Sequence, residues 1–151
     1  PRKNITVIET DSAPHTYERG WHLAKSEGTQ TEPLGRRIIE VPDSLDNFIS
    51  RDSHARFTAY VPKGSVLAGK KISQSANTIM ACAQCHGKHL RGQENIPALA
   101  GRSPSYLVRQ LYDFKLGFRS GPSAKPMQDA VKGLDAEDII AVAAYAASLR
   151  P

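Results

Sequence analysis

Two cysteines three positions apart, with a histidine directly after the second, constrain this chain more than any other stretch: Cys82-Ala83-Gln84-Cys85-His86. On one short helical turn the two sulfurs can reach the two vinyl groups of a single porphyrin and form thioethers. The next side chain, His86, is then held beneath the iron as proximal ligand, which is why C-x-x-C-H is the attachment signature of c-type haem. The chain has no other cysteine, so the motif takes all the sulfur available for crosslinking.

Three rival readings use the same residues. One is a chance occurrence, which a short pattern always permits. A redox dithiol is the second, but the βαβ context of a thioredoxin-like motif is missing. Zinc is the sharpest, because His89 extends the run to C-x2-C-H-x2-H. Structural zinc, however, takes its ligand pairs from two separated elements, and four ligands within eight consecutive residues fit tetrahedral geometry poorly.

At 151 residues the chain is one domain, or a small domain with an extension. No stretch approaches the ~18 apolar residues of a membrane span. The numbered sequence starts at Pro1 and shows no signal peptide, so the original targeting is not visible in it. Covalent haem attachment needs reduced thiols and an export-side assembly apparatus, which implies the bacterial periplasm or an equivalent compartment. The net charge of +5 is uneven: the acidic residues balance the basic ones up to residue 62, and the excess of Lys and Arg lies beyond it. A cationic haem-bearing half suits an anionic docking partner, whose encounter the field would speed. No motif interleaves basic and aromatic residues in the manner of a nucleic-acid binder, so nucleic acid is not the expected partner.

Residues 1–35 are polar and without sustained period, and no element is assigned there; Tyr17, Trp21 and Leu23 could pin the segment down. Arg36 to Pro42 reads as a short strand stopped by proline. Phe57 to Val61 alternates Phe57, Ala59 and Val61 against Thr58 and Tyr60, the period of a half-buried strand. The two could pair as an antiparallel ribbon around a turn at 43–54, anchored by Leu45 and Phe48. Pro62-Lys63-Gly64 marks a boundary. Ser65 to Ser73 predicts a helix with Val66, Leu67 and Ile72 facing inward. Gly69 within it costs roughly 1 kcal/mol against Ala, which makes sense if another helix crosses there. A polar loop over 74–78 leads into the motif, and an irregular loop over 87–101 follows it.

Ser103 as N-cap, Pro104 at the first position and Gly117 past the end then frame a helix with Leu107, Leu111 and Phe114 on its inner stripe. Residues 118–127 read as a Gly/Pro-interrupted loop ending at Met127. The last helix begins at Asp135, with Asp138 in a capping-box position, and carries Ile139, Val142, Ala143, Ala146 and Leu149 at helical spacing.

This order of elements, together with TIMACAQCHG at 78–87, IPALAGRSPSYLVRQLYDF at 96–114 and LDAEDIIAVAAYAASL at 134–149, resembles the class I cytochromes c, in their periplasmic bacterial branch, over about residues 63–151. The resemblance implies a mainly α fold in which the N-terminal helix crosses the C-terminal helix around one covalent haem c. Residues 1–62 would form an irregular N-terminal extension, with at most the short β-ribbon. It further implies that Pro97 offers its carbonyl to the His86 ring, that Gly69 and Tyr145 meet where the helices cross, and that Leu99 and Tyr106 line the haem pocket. Met127 would be the distal iron ligand. Met80, just before the motif, is the alternative methionine, and His15, His22, His54 and His89 are the competing sixth ligands. Lys88, Arg91, Arg102, Arg109 and Lys125 could contact propionates or form a cationic rim.

The function this implies is a single-haem carrier passing one electron at a time between redox partner proteins, with no catalytic residue of its own. Two alternatives stand beside it. One is a haem subunit of a dehydrogenase complex docked through residues 1–62; the other is a ligand-binding or peroxidatic haem enzyme with an open site.

Overall fold

Near the end of the chain lies Ala141 to Ala147, a run of five alanines, one valine and one tyrosine. In the computed structural model, which describes residues 3–20, 22–75 and 81–151, that run is the core of the last helix, α6 (Ala136–Ser148). Ala141 through Ala147 are all buried. A helix apolar on all sides needs neighbours on all sides, and α6 has them: α2 (Ser65–Gln74), α4 (Pro104–Lys115) and the strand β1 (Ile5–Glu9). The expected inner stripe is thus part of a helix enclosed on all sides from Ala141 to Ala147, with Ala136 and Glu137 exposed at its start.

Both ends of that architecture are written in the sequence. Asp135 accepts from the Asp138 amide at 2.9 Å while the Asp138 carboxylate accepts from the Asp135 amide at 3.2 Å, so the capping box is complete. Helix α4 starts as expected, with the Ser103 hydroxyl accepting from Tyr106 and Pro104 in the first turn. Gly117 follows it at φ +79, the left-handed conformation that ends helices.

Helix α2 crosses α6 through its small residues, Ser65, Gly69 and Ser73, which are its buried positions. A Cβ placed on Gly69 would lie 1.9 Å from the Ala141 carbonyl oxygen and 2.8 Å from the Tyr145 Cβ. Backbone therefore meets backbone at this position. Val66 and Ile72 pack inward, but Leu67 does not: it is 60% exposed, because the close crossing is made by the glycine face and Leu67 lies off it.

The first 62 residues overturn the expectation of an irregular extension. Strands β1, β2 (Ser12–Pro14), β3 (Thr16–Arg19), β4 (His22–Lys25), β5 (Thr31–Pro33), β6 (Ile39–Pro42) and β7 (Phe57–Val61) form a three-stranded sheet in the order β1-β7-β6 and two small antiparallel ribbons, β2-β5 and β3-β4. The expected pairing of β6 with β7 is present, with Ile39 opposite Tyr60 and Pro42 opposite Phe57. The strand begins at Ile39 rather than Arg36, and the turn after it contains a short helix, α1 (Leu45–Ile49), capped by Ser44. Unforeseen is β1, which runs parallel to β7 with Ile5 opposite Phe57 and Glu9 opposite Val61. Phe48 anchors the α1 turn, 4.4 Å from the His22 ring and 5.7 Å from that of Phe57. Trp21 lies outside the described residues.

Period-2 alternation gives the sheet two buried faces. Ile5, Val7, Phe57 and Ala59 cluster with Ala147 of α6, while Ile39, Val41 and Tyr60 cluster with Ala13, Leu23 and Leu34 from the ribbons and the turn that follows them. Charged side chains complete the attachment at helix ends. Glu9 accepts from the Val66 amide at 2.9 Å, supplying the cap that Gly64 cannot. Glu40 accepts from the Ser103 hydroxyl at 2.7 Å and the Ser105 amide at 3.2 Å at the start of α4. Lys3 donates to the Ser148 carbonyl at 2.9 Å at the end of α6. Anions sit at helix N-termini and a cation at a C-terminus, the arrangement the helix dipole favours.

The remaining departure concerns Met127. It stands in a helix, α5 (Lys125–Val131), not in a loop; Pro126 occupies the first turn, where proline is tolerated. None of the helices among the described residues is long and apolar enough to cross a membrane.

The crossing yields a sign test. At an exposed helical site Gly→Ala would stabilise by about 1 kcal/mol, whereas overpacking against fixed backbone costs about 1–3 kcal/mol. Gly69→Ala is therefore expected to lower the urea midpoint; an unchanged or raised midpoint would show that the helices are not in backbone contact.

Candidate haem site

The Cys82–His86 motif forms its own short helix, α3, entered from Ala81 in extended conformation and left through Gly87 at φ +80. One turn of helix puts the two thiols and the imidazole on a common unit, as the spacing requires. Cys82 and Cys85 are not joined in a disulfide. Burial pushes the Cys82 thiol above its ordinary range, with the Ser73 hydroxyl pulling weakly the other way, so this sulfur stays protonated at neutral pH.

His86 is 4% exposed, and its two ring nitrogens have different fates. Nδ1 lies 2.8 Å from the Pro97 carbonyl oxygen. A carbonyl can only accept, so Nδ1 carries the proton and Nε2 carries the lone pair. Burial lowers the imidazole's affinity for a second proton, with the Pro97 carbonyl opposing, and the ring is therefore neutral at pH 7. Nε2 is buried and has no hydrogen-bond partner among the described residues. A buried polar atom without a partner is costly unless something absent from the protein's own groups satisfies it. A neutral imidazole held by its Nδ1–H, with the other nitrogen bare, is the form that binds a metal.

The loop after α3 is built to bring Pro97 to that ring. Leu90 adopts φ +54 and is 1% exposed, and its carbonyl accepts from both the Leu99 and the Ala100 amides, at 2.8 and 2.9 Å. Leu99 packs on the cluster of Leu90, Ala100, Leu107 and Ala146. Tyr106 sits in the first turn of α4 and is 45% exposed. Met127 is partly buried against Val131, Leu134 and Ile139, with Val108, Leu111 and Phe114 of α4 in the same cluster.

The other candidates disperse. His15 pairs with Ser26 at 3.0 Å, His54 with Asp52 at 3.1 Å, and His22 packs at a tilt against Phe48. His89 is exposed, and among the described residues no group of three or more His, Cys, Asp or Glu side chains is placed to hold a metal ion. The zinc reading thereby loses its ligand set. Met80 lies outside the described residues. Among the cations, Arg91 and Arg102 donate to the Arg150 and Ala98 carbonyls and Lys125 pairs with Asp129; Lys88 and Arg109 stand at exposed positions. Sequence reasoning missed Gly92, at φ +78 and pressed against the Pro97 peptide. A glycine six residues past the histidine was the available signal.

Comparison with known proteins bears on the same segment. The chain is 30% identical over 131 residues to a cytochrome c4 of Azotobacter vinelandii, an alignment covering 76% of this chain and 61% of that protein. It is 34% identical over 84 residues to the cytochrome subunit of sulfide dehydrogenase of Chlorobaculum tepidum, covering 54% of this chain and 74% of the relative. The solved structure of cytochrome c4 from Acidithiobacillus ferrooxidans superimposes with a TM-score of 0.52 at 34% identity, over 57% of this chain and 50% of that one. The chain thus spans about three-fifths of the first of these relatives and half of the solved structure. The cytochrome c family profile matches residues 66–150, which include the C-x-x-C-H helix, the Pro97 loop, α4, α5 and α6. That match covers more than half of the chain, and the chain belongs to the class I cytochromes c.

Proposed function

We propose that this chain is a single-haem electron carrier, with residues 63–151 as its haem-bearing unit and residues 1–62 as an extension packed onto it. One observation carries the reading: the bare, buried Nε2 of a neutral His86 whose Nδ1–H is held by Pro97. Cys82 and Cys85 would bond the haem through their sulfurs, His86 would be the proximal ligand and Met127, presented by α5, the distal one. The bound haem supplies a one-electron Fe(II)/Fe(III) couple.

The protein's own contribution is to hold and enclose. Pro97 fixes the plane and tautomer of the His86 ring. Leu99 packs into the core beside the motif, and Tyr106 stands on the helix next to it. With a thioether on the sixth position no open site is left for an added ligand, which favours a carrier over the peroxidatic alternative. The periplasm or an equivalent compartment is inferred from the chemistry of thioether attachment. The partners inferred are redox proteins with anionic docking surfaces, approached by a half of the chain rich in Lys and Arg, with Lys88 and Arg109 on its exterior.

The second reading, a haem subunit held in a dehydrogenase complex, draws on the relative named as the cytochrome subunit of sulfide dehydrogenase. Against docking through residues 1–62, the sheet already spends one face on α6 and the other on its own ribbons. A sizing column separates the carrier from the subunit.

Denaturation of the purified holoprotein in acid and organic solvent tests the main reading: the colour is expected to stay with the polypeptide and to give a c-type pyridine haemochrome, and colour that washes away rejects it. For the distal ligand, Met127→Ala is expected to abolish the weak far-red ferric band of iron–thioether coordination and to let the ferrous protein bind CO. A wild type lacking that band would remove Met127 from the site. Rising ionic strength is expected to slow electron transfer with an anionic partner, since the Debye length falls to about 10 Å at roughly 0.1 M salt; a rate indifferent to salt rules out steering.

A further inference from the structure

We propose that Gly92 is a positioning residue for the redox centre: it fixes the Pro97 carbonyl on the His86 ring and, through that hydrogen bond, sets the reduction potential. The inference rests on the haem reading above and extends it to a residue that touches neither sulfur nor imidazole.

Gly92 is gripped from both sides. Its amide donates to the His86 carbonyl at 2.9 Å, tying it to the backbone of the proximal residue. Across from that bond, a Cβ on Gly92 would lie 2.6 Å from the Ile96 carbonyl oxygen, 2.7 Å from the Ala98 nitrogen and 2.9 Å from the Pro97 carbonyl carbon. All three are backbone atoms of the segment whose Pro97 oxygen sits 2.8 Å from Nδ1. Its φ of +78 adds a conformation that L side chains rarely adopt. The spacing between the His86 backbone and the Pro97 peptide is therefore the thickness of a residue with no side chain. Any added atom must push the Pro97 segment away from the His86 backbone, because the Gly92 amide is itself tied to the His86 carbonyl.

The consequence follows from ligand chemistry. An imidazole whose Nδ1–H is given to a good acceptor is a stronger donor at Nε2, and a stronger donor favours the ferric state. Lengthening the bond weakens the donor and raises the potential. Gly101 supplies the control. It shares the positive φ, +70, and a Cβ there would meet the Pro151 ring at 2.5 Å and the Leu149 carbonyl at 3.3 Å, not the Pro97 peptide. Substitution there strains the same loop without touching the bond.

The experiment compares Gly92→Ala and Gly101→Ala with wild-type holoprotein by redox titration and by exchange of the His86 Nδ1–H, followed by NMR in the ferrous state. The expected result is that Gly92→Ala shifts the reduced-to-oxidised ratio at a fixed solution potential up to about tenfold toward reduced, or 59 mV for one electron. Its ring proton should also exchange faster. Gly101→Ala should lose stability and keep the wild-type potential. A Gly92→Ala protein that binds haem and titrates as wild type overturns the proposal, as does an equal shift in both variants. If Gly92→Ala does not accumulate with haem, wild type decides: the ring proton and the Gly92 amide are expected to exchange through one common opening. A ring proton that exchanges freely while the Gly92 amide stays protected refutes the coupling. Failure of the haem reading itself looks different, as wild type would then give no haemochrome to titrate.

Discussion

The contact between Gly69 of α2 and the Ala141 peptide of α6 is the constraint on which the rest of the molecule depends. Because no side chain separates the two backbones, the helices that bracket the haem segment are set at one distance and one angle. Alanines along α6 then admit close neighbours elsewhere on its surface, so α4 and the strand β1 can reach it as well. Small side chains contribute little apolar area each, and the enclosure of the run from Ala141 to Ala147 makes up for it by burying that run on every side. Had α6 carried leucines at these positions, the sheet and α2 could not both have approached.

Much of this was legible in the sequence because its signals are local. The capping box at Asp135, the Ser103-Pro104 start and Gly117 each report a backbone state set by adjacent residues, and the structure has all three. Alternation in Phe57–Val61 carried the β6–β7 pair for the same reason. What was not legible depends on partners far along the chain. Strand β1 has only Ile5, Val7 and Ile8 to mark it, and it becomes a strand by pairing with β7 and covering α6. Glu9 and Glu40 look like solvated charges in a polar stretch until the helix starts they complete are known. Met127 reads as a loop residue because Gly121, Pro122 and Pro126 are breakers, although a proline in the first turn is compatible with a helix start.

For the site, the motif and its direct neighbour were legible and the support was only partly so. Cys82, Cys85 and His86 follow from a spacing that chemistry demands. That Pro97 stands at the His86 ring came from resemblance, since nothing in an eleven-residue separation dictates it; the hydrogen bond exists because Leu90, Gly92 and the Gln93–Ile96 bridge fold the loop back. The proximal side is thus a product of backbone geometry more than of side-chain choice. Local patterns in side chains are easy to read, whereas loop paths held by carbonyls and amides leave almost no trace in residue type apart from a glycine.

Lys3 reaching the Ser148 carbonyl, and Ile5 and Val7 lying on Ala147, join segments from the two extremes of the sequence. A chain made from its amino end therefore holds its first strand without a surface to cover until the last helix has been synthesised. Helix α2 waits for the same partner. The cysteines are complete well before then, so the thiols precede the closure of the protein around them.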